Sequence, residues 1–244
     1  GFQAGTSNGV NLSKFTIKNT NSDGIDIKDY NNNNGCIYIT DYTAENISIV
    51  DADDVALDVR GEVCVNNISI TAVTPSRGVR LRQGGSQGRA GFGVINNVVF
   101  KGYGSDTTIA IHIAADAGNF TITNVSAKDC NQAILQSDGA VGGVITGVTC
   151  SGIYGDGMSI GGNDLIVNGY SAKNTTGSSR LCDVESTAVN FNLCNFFIEE
   201  TTASSEGIRV NTGAVDTSFA NGAIRGGNIG DSGTGTVQDN VRPI

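Results

Sequence analysis

The sequence is poor in residues that mark several common protein classes. Its 244 residues include no tryptophan, two prolines, one histidine and one methionine, and good helix formers are scarce. The six cysteines form no CxxC pair, and there is only one histidine. A zinc or iron–sulfur centre is therefore not expected, and we predict neither a metal nor a cofactor. We interpret the cysteines mainly as small, buried, apolar residues.

Long apolar runs and an excess of positive charge are also missing. No stretch approaches the roughly eighteen apolar residues that a membrane-spanning helix needs, and the N-terminus shows no charged region followed by an apolar run. The formal net charge is -9, so a nucleic-acid backbone or an anionic membrane would repel the chain. We expect neither as a partner. A neutral partner, or an anionic partner that meets a local basic patch, remains open.

Glycine is abundant at 34 residues, and one four-residue pattern recurs along the chain. It reads apolar, any residue, Asn or Gly, apolar, as in VNNI (65–68) and ITNV (122–125). Asn and Gly tolerate the left-handed αL backbone, so the recurrence predicts one sharp bend per repeat. The predicted bend residues are Lys14, Asn46, Asn67, Asn97, Asn124, Gly147, Gly169, Asn195 and Gly222.

A second pattern alternates with the first and reads small or apolar, apolar, variable, apolar, as in GIDI (24–27) and ALDV (56–59). Its period of two is that of a strand with one buried face. The two patterns predict two buried columns. The first column is Phe15, Ile47, Ile68, Val98, Val125, Val148, Tyr170 and Phe196. The second is Ile25, Leu57, Val79, Ile111, Ile134, Met158, Cys182 and Ile208.

The spacing of the bends selects the fold class. Bends recur on average about 25 residues apart, a length that suits one coil of a parallel β-helix. A β-sandwich also has many short strands, but it would not repeat one bend residue at the same phase, and a leucine-rich horseshoe needs helical arms that are absent. We predict an all-β, single-stranded, right-handed parallel β-helix of about nine coils. It forms one domain over residues 1–244, with a glycine-rich tail over 226–244.

The variable position of the second pattern places one outward side chain per coil in a single row. We expect this row to line a solvent-facing groove, with two inserted loops, 30–42 and 82–93, beside it. A solvated ladder of alternating charge is the non-functional alternative. The candidate catalytic residues are Asp26, Asp58, Arg80 and His112. The candidate substrate-binding residues are the basic column Lys28, Arg60 and Arg82 and the aromatic residues Tyr30 and Tyr38.

This row suits two kinds of carbohydrate chemistry. Stacked carboxylates resist joint ionisation, so Asp26 and Asp58 can act as acid and base on a glycosidic bond, and a separation of about 5 Å favours retention. An eliminating lyase would instead use Arg80, Lys28 or His112 as its base, while the cations neutralise a uronic carboxylate. The sequence leaves both mechanisms open.

The repeats resemble the pectate-lyase-like β-helix superfamily, which includes pectin-degrading enzymes and bacteriophage tailspikes. The resemblance covers nearly the whole chain. Two segments, NSDGIDI (21–27) and DADD (51–54), also resemble the Asn-Thr-Asp segment and the Asp-Asp pair of polygalacturonases. That resemblance implies Asp23, Asp53 and Asp54 as alternative catalytic acids. The family's Gly-His-Gly and Arg-Ile-Lys are missing, because the comparable segment reads YGDGMSIGG (154–162).

The resemblance to tailspikes implies a homotrimer of the virion tail that binds, and often cleaves, host surface polysaccharide. The absent secretion signal and the glycine-rich tail favour this interpretation, in which the chain is part of a longer subunit. The chief alternative is a non-catalytic carbohydrate-binding or structural module. An aromatic content of only 6% favours that alternative. A secreted bacterial polygalacturonase-like hydrolase is the second alternative.

Overall fold

The protein is an all-β parallel solenoid in the computed structural model, which describes residues 2–4, 9–28, 37–47, 55–72, 77–82, 91–102, 108–174, 180–201 and 206–244. These residues contain no helix, and hence none that could cross a membrane. The predicted fold class is confirmed, and the architecture is consistent with a right-handed parallel β-helix. The solenoid makes about seven turns rather than about nine coils.

Short and long strands alternate along most of the chain. In chain order they are β1 (Phe2–Ala4), β2 (Val10–Thr20), β3 (Ile25–Lys28), β4 (Ile37–Ile47), β5 (Val55–Arg60), β6 (Val63–Ala72), β7 (Arg77–Arg82), β8 (Gly91–Lys101), β9 (Ile109–Ile113), β10 (Ala117–Lys128), β11 (Gln132–Gln136), β12 (Val141–Ser151), β13 (Met158–Ile160), β14 (Asn163–Asn174), β15 (Cys182–Val184), β16 (Asn192–Cys194), β17 (Phe197–Glu200), β18 (Glu206–Val210), β19 (Ser218–Arg225), β20 (Asn228–Asp231) and β21 (Val237–Pro243).

The strands form two parallel sheets. The short-strand sheet has the order β1-β3-β5-β7-β9-β11-β13-β15-β18-β20. The long-strand sheet runs from β2 through the even-numbered strands to β14, then through β16 and β17 to β19, and β21 pairs with β19. The predicted tail, 226–244, thus contributes the last strand of each sheet.

Both predicted inserted loops are largely strand where the structure describes them. Residues 37–42 are the first half of β4, which pairs in register with β2. Arg82 belongs to β7, and residues 91–93 belong to β8. The rest of the two segments, 30–36 and 83–90, lies outside the described residues. Residues 37–42, part of the segment that we expected to lengthen the first coil, therefore belong to a regular strand.

Bends within the long strands occur at residues with positive φ, as predicted. The φ angle is 56° at Asn67, 57° at Asn97 and 55° at Asn124. All the predicted bend residues have positive φ except Gly222. At that coil the bend residue is Asn221, with a φ of 53°. Gly222 follows it inside the solenoid, where an added Cβ would lie 2.0 Å from Cζ of Phe196.

Asn46 has the predicted positive φ, 54°, but it belongs to a second column of bends. The counterpart of Lys14 in the first column is Asp41, whose φ is also 54°. Asn46 instead stacks on Asn19 and donates a hydrogen bond of 2.8 Å to its side-chain oxygen. Asp accepts the αL backbone as Asn does, so ITDY (39–42) is the true repeat in β4 and AENI (44–47) is a second bend.

Both predicted apolar columns exist, with one correction. The second column is fully buried from Ile25 to Ile208. In the first column the register pairs Phe15 with Tyr42, which then pairs with Ile68. Tyr42 therefore takes the place that was predicted for Ile47, which is buried one bend further along.

Aromatic residues in the first column explain the small residue that opens the second pattern. The hydroxyl of Tyr42 donates to the carbonyl of Ala56 at 2.9 Å, and an added Cβ at Gly24 would lie 2.5 Å from that hydroxyl. The same arrangement recurs at Tyr170, whose hydroxyl donates to the carbonyl of Leu181 at 2.6 Å. An added Cβ at Gly157 would lie 2.6 Å from that hydroxyl. Glycine at these positions makes room for a ring that crosses the interior of the coil.

The cysteines partly follow the prediction. Cys130, Cys150 and Cys182 are buried, whereas Cys64 and Cys194 are half-buried on the long-strand sheet, and all five are free thiols. Cys36 lies outside the described residues.

The bend at Asn124 provides a test of the repeat. Asn124→Val should lower the free energy of unfolding by about 2–3 kcal/mol, because a β-branched residue resists the αL backbone and the side-chain amide ladder is lost. Asn124→Gly accepts the same φ and should cost less than about 1 kcal/mol. Urea unfolding measures both values. Equal losses in the two variants would contradict the role of backbone strain.

Candidate functional site

The predicted outward row is present. Asp26, Asp58, Arg80 and His112 occupy the same position on β3, β5, β7 and β9 and pair in register from one coil to the next. The row continues through Leu135, Ser159, Asp183 and Arg209. Period-two alternation thus placed these side chains correctly on the side of the sheet opposite the apolar columns.

The expectation that this row lines a solvent-facing groove is wrong for the four candidate residues. The exposed fraction is 7% for Asp26, 0% for Asp58, 6% for Arg80 and 9% for His112. Strand periodicity tells which side a residue faces, but not what covers that side. The row is therefore a buried polar ladder over its first coils, and a long substrate cannot lie directly against it.

Asp58 is the electrostatic centre of this ladder. Its carboxylate accepts a hydrogen bond of 2.6 Å from Arg80, and guanidinium nitrogens of Arg60 and Arg82 lie 3.5 and 3.8 Å away. The predicted basic column is in register, with Lys28, Arg60 and Arg82 paired along the sheet. Its two described side chains turn back towards Asp58, because a fully buried carboxylate needs opposite charge around it.

Asp23 joins this group from the segment before β3. Oxygens of Asp23, Asp26 and Asp58 all lie within 4.8 Å of one another. One oxygen of Asp23 accepts the backbone N–H of Val55 at 2.7 Å. Burial raises the pKa of Asp23, and the neighbouring carboxylates of Asp58 and Asp26 raise it further. We name Asp23, Asp26, Asp58 and Arg80 the first centre.

Three converging carboxylates are the ligand type that hard cations prefer. In the first centre, however, Asp58 already interacts with Arg60, Arg80 and Arg82. Their positive charge opposes a further cation at the same oxygens. We therefore assign no metal to this cluster.

His112 lies next to Arg80 in the ladder. Its Nε2 lies 3.0 Å from Oγ of Ser137, and its Nδ1 is buried without a hydrogen-bond partner among the described residues. Burial and, to a smaller extent, the charges of Arg77, Arg80 and Arg82 together lower the pKa of His112 to about 4. A neutral imidazole that resists protonation is a weak general base. The low pKa therefore argues against His112 as the base of a lyase or as an activator of Ser137, although its Nε2 is within hydrogen-bond distance of that hydroxyl.

Only one of the remaining predicted site residues has a described side chain. Tyr38 is on β4 of the long-strand sheet, away from the row, so its grouping with Asp26 is wrong. Tyr30, Asp53, Asp54 and the side chain of Lys28 lie outside what the structure describes.

A second group of charges lies further along the row, and the sequence patterns did not lead us to predict it as a site. Arg209 binds Asp183 through two nitrogens, with Nε donating at 2.8 Å, and the side-chain amide of Asn211 donates to the same carboxylate at 2.9 Å. The hydroxyl of Ser159 donates to Glu185 at 3.1 Å. We name Asp156, Asp183, Glu185 and Arg209 the second centre.

The acids of the second centre differ in their surroundings. Burial raises the pKa of Glu185, and the charge of nearby Asp183 raises it further. The same two causes raise the pKa of Asp156. Arg209 and Asn211 also line an open pocket of about 350 Å³ that lies beside this centre. The second centre thus combines a carboxylate bound by an arginine with acids of raised pKa; Asp183 itself is 1% exposed, and Arg209 is the member of the centre that reaches the pocket.

The two centres are built on the same plan. Asp156 precedes Gly157 as Asp23 precedes Gly24, and Asp156 accepts the backbone N–H of Arg180 from the next coil at 3.3 Å. In each centre a buried aspartate, Asp58 or Asp183, follows on the next coil. The arginine that binds it, Arg80 or Arg209, follows one coil after that. The sequence carries this signal as DGIDI, ALDV, GVRL and again as DGMSI, LCDV, GIRV. Comparing whole triplets of coils would have found the second centre.

Comparisons with known proteins leave the family undetermined. No protein-family model, curated protein or solved structure matches this chain. The resemblances to tailspikes and to polygalacturonases therefore rest on the sequence motifs alone, and only the class of fold, a parallel β-solenoid, is established.

Asp58→Asn should destabilise the protein rather than act only on catalysis. The substitution leaves the buried guanidinium of Arg80 without its counter-charge, and breaking a buried pair costs about 3–5 kcal/mol. Glu45→Gln is a suitable control, because the exposed pair of Lys18 and Glu45 should contribute less than about 1 kcal/mol. Denaturant unfolding at pH 7 compares the two. Equal stability of Asp58→Asn and the parent would refute the ladder's electrostatic role.

His112 should make stability depend on pH. Its pKa is about 4 in the folded state against 6.5 for the ordinary residue, so the unfolded chain binds a proton at a pH where the folded chain does not. The free energy of unfolding should therefore decline as pH falls from about 6.5 to 4, by up to roughly 3 kcal/mol from this group.

The control for this effect is His112→Gln, since the chain has no other histidine. Carboxylates titrate in both proteins and cancel in the difference between the two stability curves. A difference that does not change between pH 4 and 6.5 would show that His112 is not held neutral.

Proposed function

We propose that this chain is a tailspike-type β-helix that binds host surface polysaccharide on the outer side of the short-strand sheet, beside the second centre. Carbohydrate hydroxyls need several polar donors and acceptors around an accessible depression. Arg209, Asn211, Glu206 and Asp231 supply these around the 350 Å³ pocket. The buried first centre lacks such access. A homotrimer in a virion tail is part of the same proposal and rests on the resemblance alone.

The observation that carries the proposal is the pairing of unlike carboxylates at the second centre. Arg209 and Asn211 donate hydrogen bonds to the carboxylate of Asp183, whereas burial and the nearby charge of Asp183 raise the pKa of Glu185. A carboxyl group with a raised pKa next to a carboxylate held by an arginine is the pattern of a glycosidase acid and its partner. In cleavage, Glu185 would protonate the leaving oxygen, and Asp183, which is 1% exposed, would contribute only through its charge next to Glu185.

A non-catalytic carbohydrate-binding or structural module is the second candidate. The buried ladder around Asp58 favours this non-catalytic candidate. Buried charges that neutralise one another serve the folded structure and need no substrate. The polygalacturonase-like alternative rests on Asp23, Asp53 and Asp54. The backbone hydrogen bond that Asp23 accepts is also that of an ordinary turn residue.

The test is to incubate the protein with a panel of purified bacterial surface polysaccharides. Reducing ends and unsaturated uronate absorbance are followed, and binding is measured by titration calorimetry. We expect binding to at least one polysaccharide and release of reducing ends. Glu185→Gln should lower cleavage by at least about 100-fold, since it removes a general acid and keeps the shape. Binding and thermal stability should change little.

Glu199→Gln is the matched control, since Glu199 pairs with Lys173 at 3.1 Å on the long-strand sheet and should leave cleavage unchanged. Binding without release of reducing ends would replace the catalytic proposal by the non-catalytic candidate. Absence of binding across the panel would overturn both kinds of polysaccharide binding and would favour a structural module.

A further inference from the structure

The outward row lacks a side chain at the pocket beside the second centre. The row places Asp183 and Arg209 on successive coils, and the register then pairs Arg209 with Gly230 on the last strand of the short-strand sheet. Glycine leaves open the space that one more outward side chain would fill. The pocket of about 350 Å³ has Gly230 in its lining, so backbone without a side chain forms part of its wall.

A carboxylate reaches into this space. An added Cβ at Gly230 would lie 2.3 Å from Oε1 of Glu206, so that oxygen lies directly over the glycine. The other oxygen, Oε2, is 3.6 Å from Nε of Arg180, and the two side chains are 33% and 32% exposed. An ion pair at this distance and exposure is weak. Glu206 therefore presents its negative charge to the pocket.

The positive charge in the pocket wall is already balanced. Arg209 is the only cation among the described residues that line the pocket. Its Nε and Nη2 both donate hydrogen bonds to the carboxylate of Asp183, which is 1% exposed. The negative charge of Asp183 cancels most of the attraction that Arg209 would exert on an acidic group of a ligand.

Acidic residues outnumber basic ones around the pocket. Asp231 lines it together with Glu206. The second centre, the pocket lining and Arg180 together contain two cations, Arg180 and Arg209, and five acids, Asp156, Asp183, Glu185, Glu206 and Asp231. Even with Glu185 protonated as the acid of cleavage, four negative charges remain against two positive ones. The local field therefore favours a cationic ligand.

The other lining residues offer hydrogen bonds but no ring. Asn211, Thr212 and Ser232 supply donors and acceptors that suit sugar hydroxyls. None of the described residues that line the pocket is aromatic, so a sugar ring cannot stack there as it does in many carbohydrate sites. Charge therefore contributes a larger share of recognition in this pocket.

We propose that this pocket selects an amino-sugar glycan, whose protonated amino groups contact Glu206 and Asp231, over a glycan of uronic or other acidic sugars. The inference rests on the proposed polysaccharide binding beside the second centre and assigns a charge to that ligand. An ammonium group donates charge-assisted hydrogen bonds to carboxylates, whereas an acidic sugar would meet like charge. The net charge of -9 adds attraction at longer range.

The test compares three oligosaccharides of equal length by titration calorimetry at low salt and mildly acidic pH, where sugar amines are protonated. They are a glucosamine oligomer, its fully N-acetylated form and a galacturonate oligomer. The glucosamine oligomer should bind about tenfold more tightly than the N-acetylated form, and its affinity should fall as salt is added. The galacturonate oligomer should not bind.

Glu206→Gln should remove most of the preference for the amine, because it deletes the charge over Gly230 and keeps the shape. Glu199→Gln is the matched control. Glu199 also lies beside a cation, Lys173 at 3.1 Å, but it belongs to the long-strand sheet. The control should retain the preference of the parent. Melting temperatures verify that both variants fold.

Equal weakening in the two variants would overturn the inference, since it would assign the binding to the overall negative charge of the protein. Tighter binding of the N-acetylated or galacturonate oligomer than of the glucosamine oligomer would also overturn it. Polysaccharide binding beside the second centre without a preference for amines would contradict this inference alone. Absence of binding to every glycan would instead contradict the proposed polysaccharide binding, so the two failures are distinguishable.

Discussion

The register of this solenoid depends on residues that accept a left-handed backbone at each bend. Asn97 donates a side-chain hydrogen bond to Asn67 at 3.0 Å, and Asn124 donates to Asn97 at 3.1 Å. Each bend therefore stacks on the bend of the preceding coil, and the strands on both sides inherit that alignment. A slip of one residue would move every apolar side chain from the interior to the surface. The bend column thus fixes the apolar columns and the charged ladder together.

The sequence predicts the parts of the fold that repeat once per coil. The second apolar column and the outward row from Asp26 to Arg209 follow from period two alone, and the structure has them in the predicted register. The errors occur where two solutions fit the same pattern. AENI satisfied the bend pattern as well as ITDY did, and ANGA offered both Asn221 and Gly222 as the bend residue. In the second case the ring of Phe196, a contact from the preceding coil, decides which residue turns.

The candidate site was less predictable, because its properties depend on what surrounds each side chain. Period two identifies Asp58 as outward but cannot show that it is fully buried or that three arginines converge on it. The same alignment that stacks apolar residues inside the coils stacks opposite charges outside them, one strand spacing apart. At that distance and degree of burial the charges neutralise each other. A row that looked like an open groove is therefore mostly part of the structural framework.

The comparison of the two centres separates structure from possible chemistry. Asp23 and Asp156 accept a backbone N–H from the next coil, so these aspartates serve the turn at both places. The difference lies two residues beyond the buried aspartate, where the first centre has Arg60 after Asp58 and the second has Glu185 after Asp183. A cation there neutralises the aspartate, whereas a second acid competes with it for ionisation. Both centres thus place an acid with a raised pKa, Asp23 or Glu185, near an arginine-bound aspartate, but the open pocket lies beside the second centre.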